Sequence, residues 1–365
     1  MAEAGFLVVA DITGYTSYLS ASELEHASGI LGDLLGLLLG ETRAPLHLSR
    51  VEGDAVISYA QAITGADPQV LVDRLEATYV AFRRALEQMV LNNSCRCNAC
   101  ANINALDLKF VVHHGPFVVQ HLATQDELMG PEVNFMFRLV KNHVRQTLGI
   151  PGYIAFTDAA VAAIGLPGYT ARLVDHTEED PERGTVTLHV RDMGPVWEGR
   201  RSQGFTELGE VMVEATRVLP VPVERAWGYV TRPETRYLLF GADKMEAHRL
   251  DDGRIGPEAV YVCFHGGVQI PHRIVDWDPP FRYLFSSPMP GGLTLLCEFR
   301  LEPIDETSTR VFYRSGRPTG SAFKALLMRP GAKRVIAKMA DQGLEALTAM
   351  VVKELAGAGN SGLDF

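Results

Sequence analysis

The sequence predicts a two-domain α+β protein, and three observations support that prediction. The chain has 365 residues, which is more than one compact core usually serves. Over about the first 200 residues, apolar runs of strand length alternate with amphipathic helices, whereas several strand-like runs and one long helix make up the remainder. We expect domains at 1–205 and 206–365, because the stretch that ends near Gly204 is rich in charge, glycine and proline.

Composition narrows the class of protein further. Hydrophobic residues make up 47% of the chain and charged residues 21%, as in a globular protein in water. No apolar run approaches the roughly 20 residues that span a bilayer, so we expect no transmembrane segment. The N-terminus MAEAGFLVVAD is acidic where a secretory signal is basic, which predicts a cytoplasmic protein. A formal net charge of -10 argues against nucleic acid as a partner.

The first predicted elements bring two acids to strand ends. GFLVVAD predicts a buried strand that ends at Asp11, and SASELEHASGILGDLLGLLL has the apolar spacing of a helix, which Ser20 or Ser22 would cap. LHLSRVEGDAVISYA predicts two strands joined by a tight turn at Glu52-Gly53-Asp54. A second acid, Asp54, therefore also lies at a strand junction.

The remaining elements of the first domain follow from the same patterns. DPQVLVDRLEATYVAFRRALEQMVL predicts an amphipathic helix started by Asp67-Pro68, and the polar NNSCRCNACANIN predicts a loop. DLKFVVHHGPFVVQHL predicts a strand that Gly115-Pro116 breaks into a hairpin. PEVNFMFRLVKNHVRQT predicts one helix with Pro131 in its first turn. YIAFTDAAVAAIG then predicts a strand and a short helix, and TVTLHVRDM one more strand.

The two acids suggest a metal site. Asp11 and Asp54 each adjoin a short segment that contains a glycine, so that backbone can approach a ligand closely. Mg²⁺ binds few protein carboxylates and keeps positions open for phosphate oxygens and water, so such a pair suits a metal-bound phosphate compound. On spacing alone the pattern favours the alternative, in which each aspartate caps a helix or a turn.

Four motifs occur in a characteristic order: D-I-T-G-Y-T, R-V-E-G-D-A, H-H-G-P-F-V and G-P-E-V-N-F-M-F-R. In order and spacing, residues 5 to 200 resemble the catalytic domain of class III nucleotidyl cyclases. The resemblance implies a ferredoxin-like βαββαβ core that converts a nucleoside triphosphate to a 3′,5′-cyclic nucleotide and pyrophosphate. It also implies two Mg²⁺ or Mn²⁺ ions held by Asp11 and Asp54, with the backbone of Ile12 beside the metals and the triphosphate over Gly14.

The same resemblance assigns roles to a helix pair and to a base-reading pair. Asn134 matches the residue that orients the ribose, and Arg138 the residue that stabilises charge on the α-phosphate. Positions i and i+4 share one helix face, although a solvent-facing polar face is the alternative. Arg50 and Glu127 stand where the family usually has a lysine and an aspartate that read the base, so the identity of the nucleotide stays open. Arg191 is a weak candidate for a triphosphate-binding cation.

The resemblance also implies a homodimer. In this family the active site forms where two catalytic domains meet, with the metal-binding acids from one domain and the asparagine and arginine from the other. This chain carries both sets, so two copies would form two equivalent sites.

A cysteine cluster stands apart from these motifs. Cys95, Cys97 and Cys100 place three thiols within six residues, and they would hold zinc if a fourth ligand came from His113, His114 or another chain. The common structural zinc pattern has a second C-x-x-C pair, which this chain lacks. The sequence therefore favours a reduced or redox-sensitive loop over a zinc site.

The second domain runs strand, short helix, antiparallel strands and one long helix, with VEA at 213–215, PVERAW at 222–227 and DWDPP at 276–280. This order resembles the START-like helix-grip (SRPBCC) superfamily. The resemblance implies a curved antiparallel sheet around a long C-terminal helix, with a cavity for a hydrophobic small molecule. Candidate cavity residues are Trp227, Phe264, His272, Phe285 and Phe299, for each of which a place in the packed core is the alternative.

The sequence thus predicts a nucleotidyl cyclase with a ligand-sensing second domain. Two alternatives stay open. One is a non-catalytic nucleotide- or hydrophobic-ligand-binding protein that retains both folds. The other is an enzyme whose active site lies in the second domain.

Overall fold

The computed structural model describes residues 3–61, 68–92, 95, 97–122, 126–201, 206–320 and 322–360, with the backbone alone for 3, 322–330 and 358–360. The chain forms two compact units, residues 1–64 with 68–204, and residues 65–67 with 205–365. Both units combine helices with a β-sheet, so the predicted α+β class is confirmed. Within the described ranges, no helix has the length and low polarity that crossing a bilayer demands.

The first unit contains eight strands and nine α-helices among its described residues. The strands are β1 (Glu3–Thr13), β2 (His47–Glu52), β3 (Ala55–Gln61), β4 (Asp107–His121), β5 (Asp126–Met129), β6 (Tyr153–Thr157), β7 (Val174–Asp180) and β8 (Gly184–Asp192). The helices are α1 (Tyr15–Ser20), α2 (Leu24–Glu41), α3 (Gln69–Leu91), α4 (Asn98–Ala101), α5 (Pro131–Val140), α6 (Val144–Leu148), α7 (Asp158–Ile164), α8 (Pro167–Thr170) and α9 (Gly194–Arg200), with a 3₁₀ turn at Ile103–Ala105.

These strands form one sheet in the order β2-β3-β1-β4-β6-β8-β7, and β5 pairs with the outer half of β4. Of the strand pairs in the described part of this unit, only β4 and β6 run parallel. Strand β1 lies in the middle and is buried on both faces, since Leu7 and Val9 belong to one apolar cluster and Val8 and Ala10 to another. Because both faces of the strand are buried, its sequence is a continuous apolar run and does not alternate with polar residues.

Strand β4 differs from the prediction. Gly115-Pro116 does not form a hairpin, because β4 continues unbroken for 15 residues. Its residues Lys109–Val112 pair with β6 and its residues Val118–His121 with β5. Pro116 lies between these two ladders, where that edge of β4 is unpaired and a proline is tolerated.

Several boundaries also differ from the prediction. The segment predicted as one helix from Pro131 is two helices, α5 and α6, and the predicted Cys-rich loop contains α4. The N-cap of α2 is Glu23, not Ser20 or Ser22. Strand β7 and the short helix α1 were not predicted. Asp67 and Gly204, named for a helix start and a domain boundary, lie outside the described residues.

The second unit is a seven-stranded, wholly antiparallel sheet in the order β10-β11-β12-β13-β14-β15-β9. The strands are β9 (Val211–Leu219), β10 (Lys244–His248), β11 (Val260–His265), β12 (Val268–Asp278), β13 (Arg282–Met289), β14 (Leu293–Asp305) and β15 (Ser308–Gly316). The helices are α10 (Val223–Thr231), α11 (Pro233–Arg236) and α12 (Ala322–Asn360), with 3₁₀ turns at Tyr237–Phe240 and Pro290–Gly292.

Helix α12 contacts β9 and the 3₁₀ turn at Tyr237–Phe240. Its buried side chains recur at helical spacing and form one stripe: Ile336, Ala340, Leu344, Leu347 and Val351. At Gly343 the helix approaches the carbonyl of Leu239 so closely that a Cβ atom would overlap it. A glycine is therefore needed at this contact.

Candidate functional site

Strand register places the two predicted metal-binding acids side by side. In the antiparallel ladder of β1 and β3, Asp11 lies opposite Ala55, and Asp54 immediately precedes Ala55 in the turn after β2. Gly53 has φ 63°, a left-handed conformation that suits glycine in a tight turn. Both carboxylates line one pocket, here named the acid pocket, whose volume is about 270 Å³.

The pocket is polar and is built from five parts of the first unit. The end of β1 with the start of α1 contributes most of the lining, the turn after β2 contributes Asp54, β4 and β6 contribute one side chain each, and the segment from Asn142 to Gln146 contributes three residues. Its lining comprises Asp11, Ile12, Thr13, Gly14, Tyr15, Thr16, Ser17, Asp54, Lys109, Asn142, Arg145, Gln146 and Tyr153. The structure thus brings Asp11, Ile12, Gly14 and Asp54 together.

The two acids have unequal electrostatic surroundings. Lys109, opposite Asp11 on β4, places its Nζ 3.0 Å from Asp11 Oδ2 and donates a hydrogen bond of 2.9 Å to the Val140 carbonyl. Asp54 has no salt-bridge partner among the described residues. Burial, reinforced by the negative charge of Asp11, raises the pKa of Asp54 to about 6. Among the described residues, Asp54 therefore lacks the ion-pair partner that Asp11 has.

Gly14 also lines the pocket, three residues after Asp11 in the chain. Its φ of 89° is left-handed, and a Cβ atom here would lie 2.8 Å from the carbonyl oxygen of Ala105 and 3.5 Å from Nη1 of Arg145. Close packing and backbone conformation both require glycine. A second cavity, of about 570 Å³, adjoins this point and shares Gly14, Ser17, Arg145 and Gln146 with the first pocket.

The predicted base-reading pair is in direct contact. Arg50 on β2 donates from Nη1 to Oε1 of Glu127 on β5, and its guanidinium also lies 3.2 Å from Glu52 and over the ring of Phe137. The other carboxylate oxygen of Glu127 is buried and has no hydrogen-bond partner among the described residues. Neither Arg50 nor Glu127 lines the acid pocket.

Asn134 and Arg138 lie on α5, four residues apart, and neither lines the acid pocket of its own chain. Asn134 is exposed. Arg138 makes a two-point contact with buried Asp180, at 2.6 Å and 3.2 Å, and a further ion pair of 3.1 Å with Glu182. A role for Arg138 at a phosphate stays a prediction, in which substrate would share this guanidinium with Asp180.

Sequence reasoning missed the cations of the pocket. The sequence could have indicated Lys109, since it is the one charged residue inside the apolar run LKFVV. No sequence pattern indicated Arg145, because the segment that contains it was predicted as a continuation of α5. Arg191, the weak sequence candidate, does not line the pocket and lies 5.2 Å from the ring centre of Tyr169.

The side chain that lies beside the three cysteines is His26, and not His113 or His114 as predicted. Nδ1 of His26, in the first turn of α2, lies 3.2 Å from Cys97 Sγ, 3.6 Å from Cys95 Sγ and 3.9 Å from Cys100 Sγ. His113 is buried elsewhere and hydrogen-bonded to Thr157 and Glu132. His114 contacts the ring of Phe6.

In the second unit, the predicted cavity residues divide between two faces. Trp227, His272, Phe285 and Phe299 are buried, and Phe285 contacts both His272 and Phe299, with ring centres 5.1 Å and 6.2 Å away. Phe264 is half-buried and lies under the ammonium group of Lys244, at 4.3 Å. Because Cys263 next to it is fully buried, strand alternation places Phe264 on the opposite face of the sheet.

A buried arginine lies among these rings and was not predicted. Arg236, at the end of α11, is fully buried, and its guanidinium carbon lies 4.1 Å from the ring centre of Tyr261 and 4.8 Å from that of Phe285. It donates hydrogen bonds to Tyr283 Oη at 3.1 Å and to Met245 Sδ at 3.0 Å. Its Nη2 is buried without a hydrogen-bond partner among the described residues.

In the part of the chain that the structure describes, no acidic side chain pairs with Arg236. None of the ion pairs between described residues includes Arg236. Burial lowers the pKa of His272 well below its usual value, so its imidazole is neutral. Burial also raises the pKa of Cys263 to about 11, so its thiol stays protonated. A buried charge without a counter-ion is costly and is rarely kept without a role.

Comparison with known proteins gives partial matches. The profile of a family described as "Protein of unknown function (DUF2652)" matches residues 31–148. An uncharacterized protein of Mycobacterium tuberculosis (strain ATCC 25618 / H37Rv), Rv2561/Rv2562, is 31% identical over 120 residues, which are 33% of this chain and 53% of that protein. The chain thus spans about half the length of this curated relative.

Solved structures similar to this chain include two nucleotidyl cyclases. The guanylyl cyclase Cya2 has a TM-score of 0.40 and 15% identity, and the match covers 52% of this chain and 92% of that one. The adenylyl cyclase CyaB from P. aeruginosa has a TM-score of 0.37 and 15% identity, and the match covers 53% of this chain and 95% of that one.

Proposed function

We propose that the first unit is a class III-type nucleotidyl cyclase, which converts a nucleoside triphosphate to a 3′,5′-cyclic nucleotide and pyrophosphate. The observation that supports it best is the convergence of two carboxylates, Asp11 and Asp54, with two cations, Lys109 and Arg145, on one polar pocket. Carboxylates suit a metal ion and the cations suit phosphate oxygens.

The donor set fits Mg²⁺ or Mn²⁺. Asp11 and Asp54 offer hard carboxylate oxygens, and Asp54, whose pKa is raised to about 6 by burial and by the charge of Asp11, has no ion-pair partner among the described residues. We expect two ions, as the resemblance implies. When bound, such ions polarise the phosphate oxygens and make the ribose 3′-hydroxyl more acidic.

The side chains of the chain then have distinct tasks. In the reaction, the 3′-oxygen bonds to the α-phosphorus, the bond to the β-phosphate breaks, pyrophosphate leaves, and the hydroxyl proton is released. Lys109 and Arg145 bind phosphate oxygens, and the pair of Arg50 and Glu127 faces the base. The free carboxylate oxygen of Glu127 would accept a hydrogen bond from an amino group of the base.

The site would be completed by a second copy of the chain. Asn134 and Arg138 lie outside the acid pocket of their own chain, so in a homodimer they would act on the nucleotide bound by the partner's acids. Asn134 would orient the ribose, and Arg138 would stabilise negative charge on the α-phosphate.

Mass spectrometry of reaction products tests this proposal. Purified protein would be incubated with each of the four ribonucleoside triphosphates and Mg²⁺ or Mn²⁺. We expect one cyclic nucleotide and an equal amount of pyrophosphate, both lost in Asp54→Asn. The control Asp33→Asn removes an equal charge at an exposed position of α2 and should keep wild-type activity. If no triphosphate gives a cyclic product with a dimeric protein, a non-catalytic nucleotide-binding role replaces the cyclase.

For the second unit we propose a START-like helix-grip fold that binds a hydrophobic small molecule carrying an anionic group. The antiparallel sheet and the long helix α12 support the fold. Arg236 supports the charge of the ligand, because its buried guanidinium has a free Nη2 and no counter-ion. A carboxylate of the ligand would accept a hydrogen bond from Nη2 and would supply the missing negative charge.

A matched pair of probes tests the charge requirement. Decanoate and decanol have the same chain length and differ in the anionic group. By titration calorimetry, we expect decanoate to bind the wild type at least about tenfold more tightly than decanol, and to lose that advantage in Arg236→Met. Equal binding of the two probes to the wild type would argue that the rings and Arg236 simply form the core.

A further inference from the structure

Three thiols and one imidazole converge on a common point near the start of α2. Cys95, Cys97 and Cys100 come from the segment before β4, and His26 comes from the first turn of α2. The four potential ligand atoms all lie within 4.8 Å of one another. All three cysteines are free of disulfide bonds.

The distances match a tetrahedral metal site. With zinc bonds of about 2.3 Å to sulfur and about 2.0 Å to nitrogen, the nitrogen and sulfur ligands of a tetrahedral site lie about 3.5 Å apart. The three distances from His26 Nδ1 to sulfur, 3.2 Å, 3.6 Å and 3.9 Å, bracket that value.

Hydrogen bonding alone does not explain this arrangement. An imidazole Nδ1 carries either one proton or one lone pair, so it can make one good hydrogen bond to a thiol, not three. Three sulfur atoms around a single nitrogen are expected when all four atoms surround a shared cation.

The surrounding contacts hold the cysteine segment in place. The backbone N–H of Cys100 donates to Cys97 Sγ at 3.5 Å. The carboxylate of Glu23 accepts from the N–H groups of Asn98 and Ala99 at 3.2 Å and 3.0 Å, and Tyr18 donates to the Ala99 carbonyl at 3.0 Å. Such outer contacts orient metal ligands and stabilise a site.

We propose that His26, Cys95, Cys97 and Cys100 form a structural zinc site. Thiolates with one imidazole favour Zn²⁺ over Mg²⁺ or Ca²⁺, and four protein ligands leave no open position for substrate. The missing second C-x-x-C pair, which argued against zinc in the sequence, is replaced by one distant histidine.

The site would support the acid pocket from outside. The chain runs from Cys100 through Asn102 to Ala105, whose carbonyl oxygen lies where it would be 2.8 Å from a Cβ atom at Gly14, and both Asn102 and Ala105 line the cavity beside the pocket. Zinc would tie this segment to α2 and so fix one wall of the cavity. Zinc binding at these four residues does not depend on which reaction the first unit catalyses.

Metal analysis of the full-length protein tests the proposal. We expect one zinc ion per chain by elemental mass spectrometry of protein purified under reducing conditions from zinc-supplemented cells. Adding Co²⁺ to the reduced, metal-free protein should produce thiolate-to-cobalt charge-transfer absorption. Removal of the metal should expose three fast-reacting thiols, because Cys263 and Cys297 are buried.

Variants separate a metal site from a coincidental cluster. His26→Asn and Cys97→Ser should each weaken Co²⁺ binding by at least about tenfold, whereas His248→Asn, at an exposed histidine in the second unit, should not. The cobalt spectrum of the wild type decides the matter even if a variant fails to fold. Absence of both bound zinc and the charge-transfer band would overturn the proposal, as would unchanged metal binding in a folded His26→Asn.

Discussion

The raised pKa of Asp54 predicts a specific dependence of stability on pH. Its pKa rises from the usual 3.8 to about 6 because of burial and the charge of Asp11. The folded protein therefore holds this proton more tightly than the unfolded chain does. The stabilising contribution is fully present below about pH 4 and is lost as the pH rises through about 6.

The magnitude follows from the size of the rise. A rise of the Asp54 pKa from 3.8 to about 6 corresponds to a contribution of about 3 kcal/mol to the free energy of unfolding. Because Asp54 is only half-buried, solvent screening lowers this to roughly 1.5 kcal/mol. Asp54→Asn removes the ionisable group, so at about pH 7.5 and without divalent metal it should unfold with a free energy roughly 1.5 kcal/mol higher than the wild type.

Native-state hydrogen exchange of the β1 and β3 amides in EDTA measures this difference for the first unit separately. The gain in Asp54→Asn should shrink to nothing by about pH 4, and Asp33→Asn should show no such trend. A variant less stable than the wild type at neutral pH would refute the reasoning. So would a gain that does not change with pH, since the effect could not then arise from ionisation.

Three further predictions use other features of the structure. Mn²⁺ should raise the melting temperature of the wild type but not of Asp11→Asn, measured by circular dichroism; an equal shift in both would place the metal elsewhere. Mixing inactive Asp54→Asn with inactive Asn134→Ala should restore about a quarter of the wild-type rate, because half of the dimers are mixed and each keeps one intact site of two; no restored activity would mean that the site does not span two chains. Gly343→Ala should destabilise the second unit by about 1–3 kcal/mol in urea unfolding, because its Cβ would overlap the Leu239 carbonyl; unchanged stability would show that α12 can shift without cost.

Local sequence patterns predicted the elements that carry the acids. The apolar run before Asp11 and the turn before Asp54 depend on neighbouring residues alone, so the sequence sufficed. Strand β7, VDHTEED, was missed because it lies at the edge of the sheet, where exposed charges are tolerated and hide the strand pattern.

Contacts between distant segments were not predictable in this way. Lys109 meets Asp11 only through the register of β1 and β4, and His26 meets cysteines that are about 70 residues away in the chain. A single sequence records neither relationship. The break between α5 and α6 was missed for a different reason, since PEVNFMFRLVKNHVRQT contains no proline or glycine after Pro131 to mark it.

The ammonium group of Lys109 makes two contacts at once. It forms an ion pair with the Asp11 carboxylate and donates a hydrogen bond to the carbonyl of Val140, the last residue of α5. A divalent ion that binds Asp11 competes for the same carboxylate oxygen. Lys109 would then keep its hydrogen bond to the helix end, where a cation is favoured by the helix dipole, and its other N–H groups would be available to phosphate oxygens. Helix α5, which carries Asn134 and Arg138, should therefore respond to metal binding at Asp11, because Lys109 contacts both the helix end and Asp11. A displacement of α5 should in turn change the affinity of Asp11 for the metal.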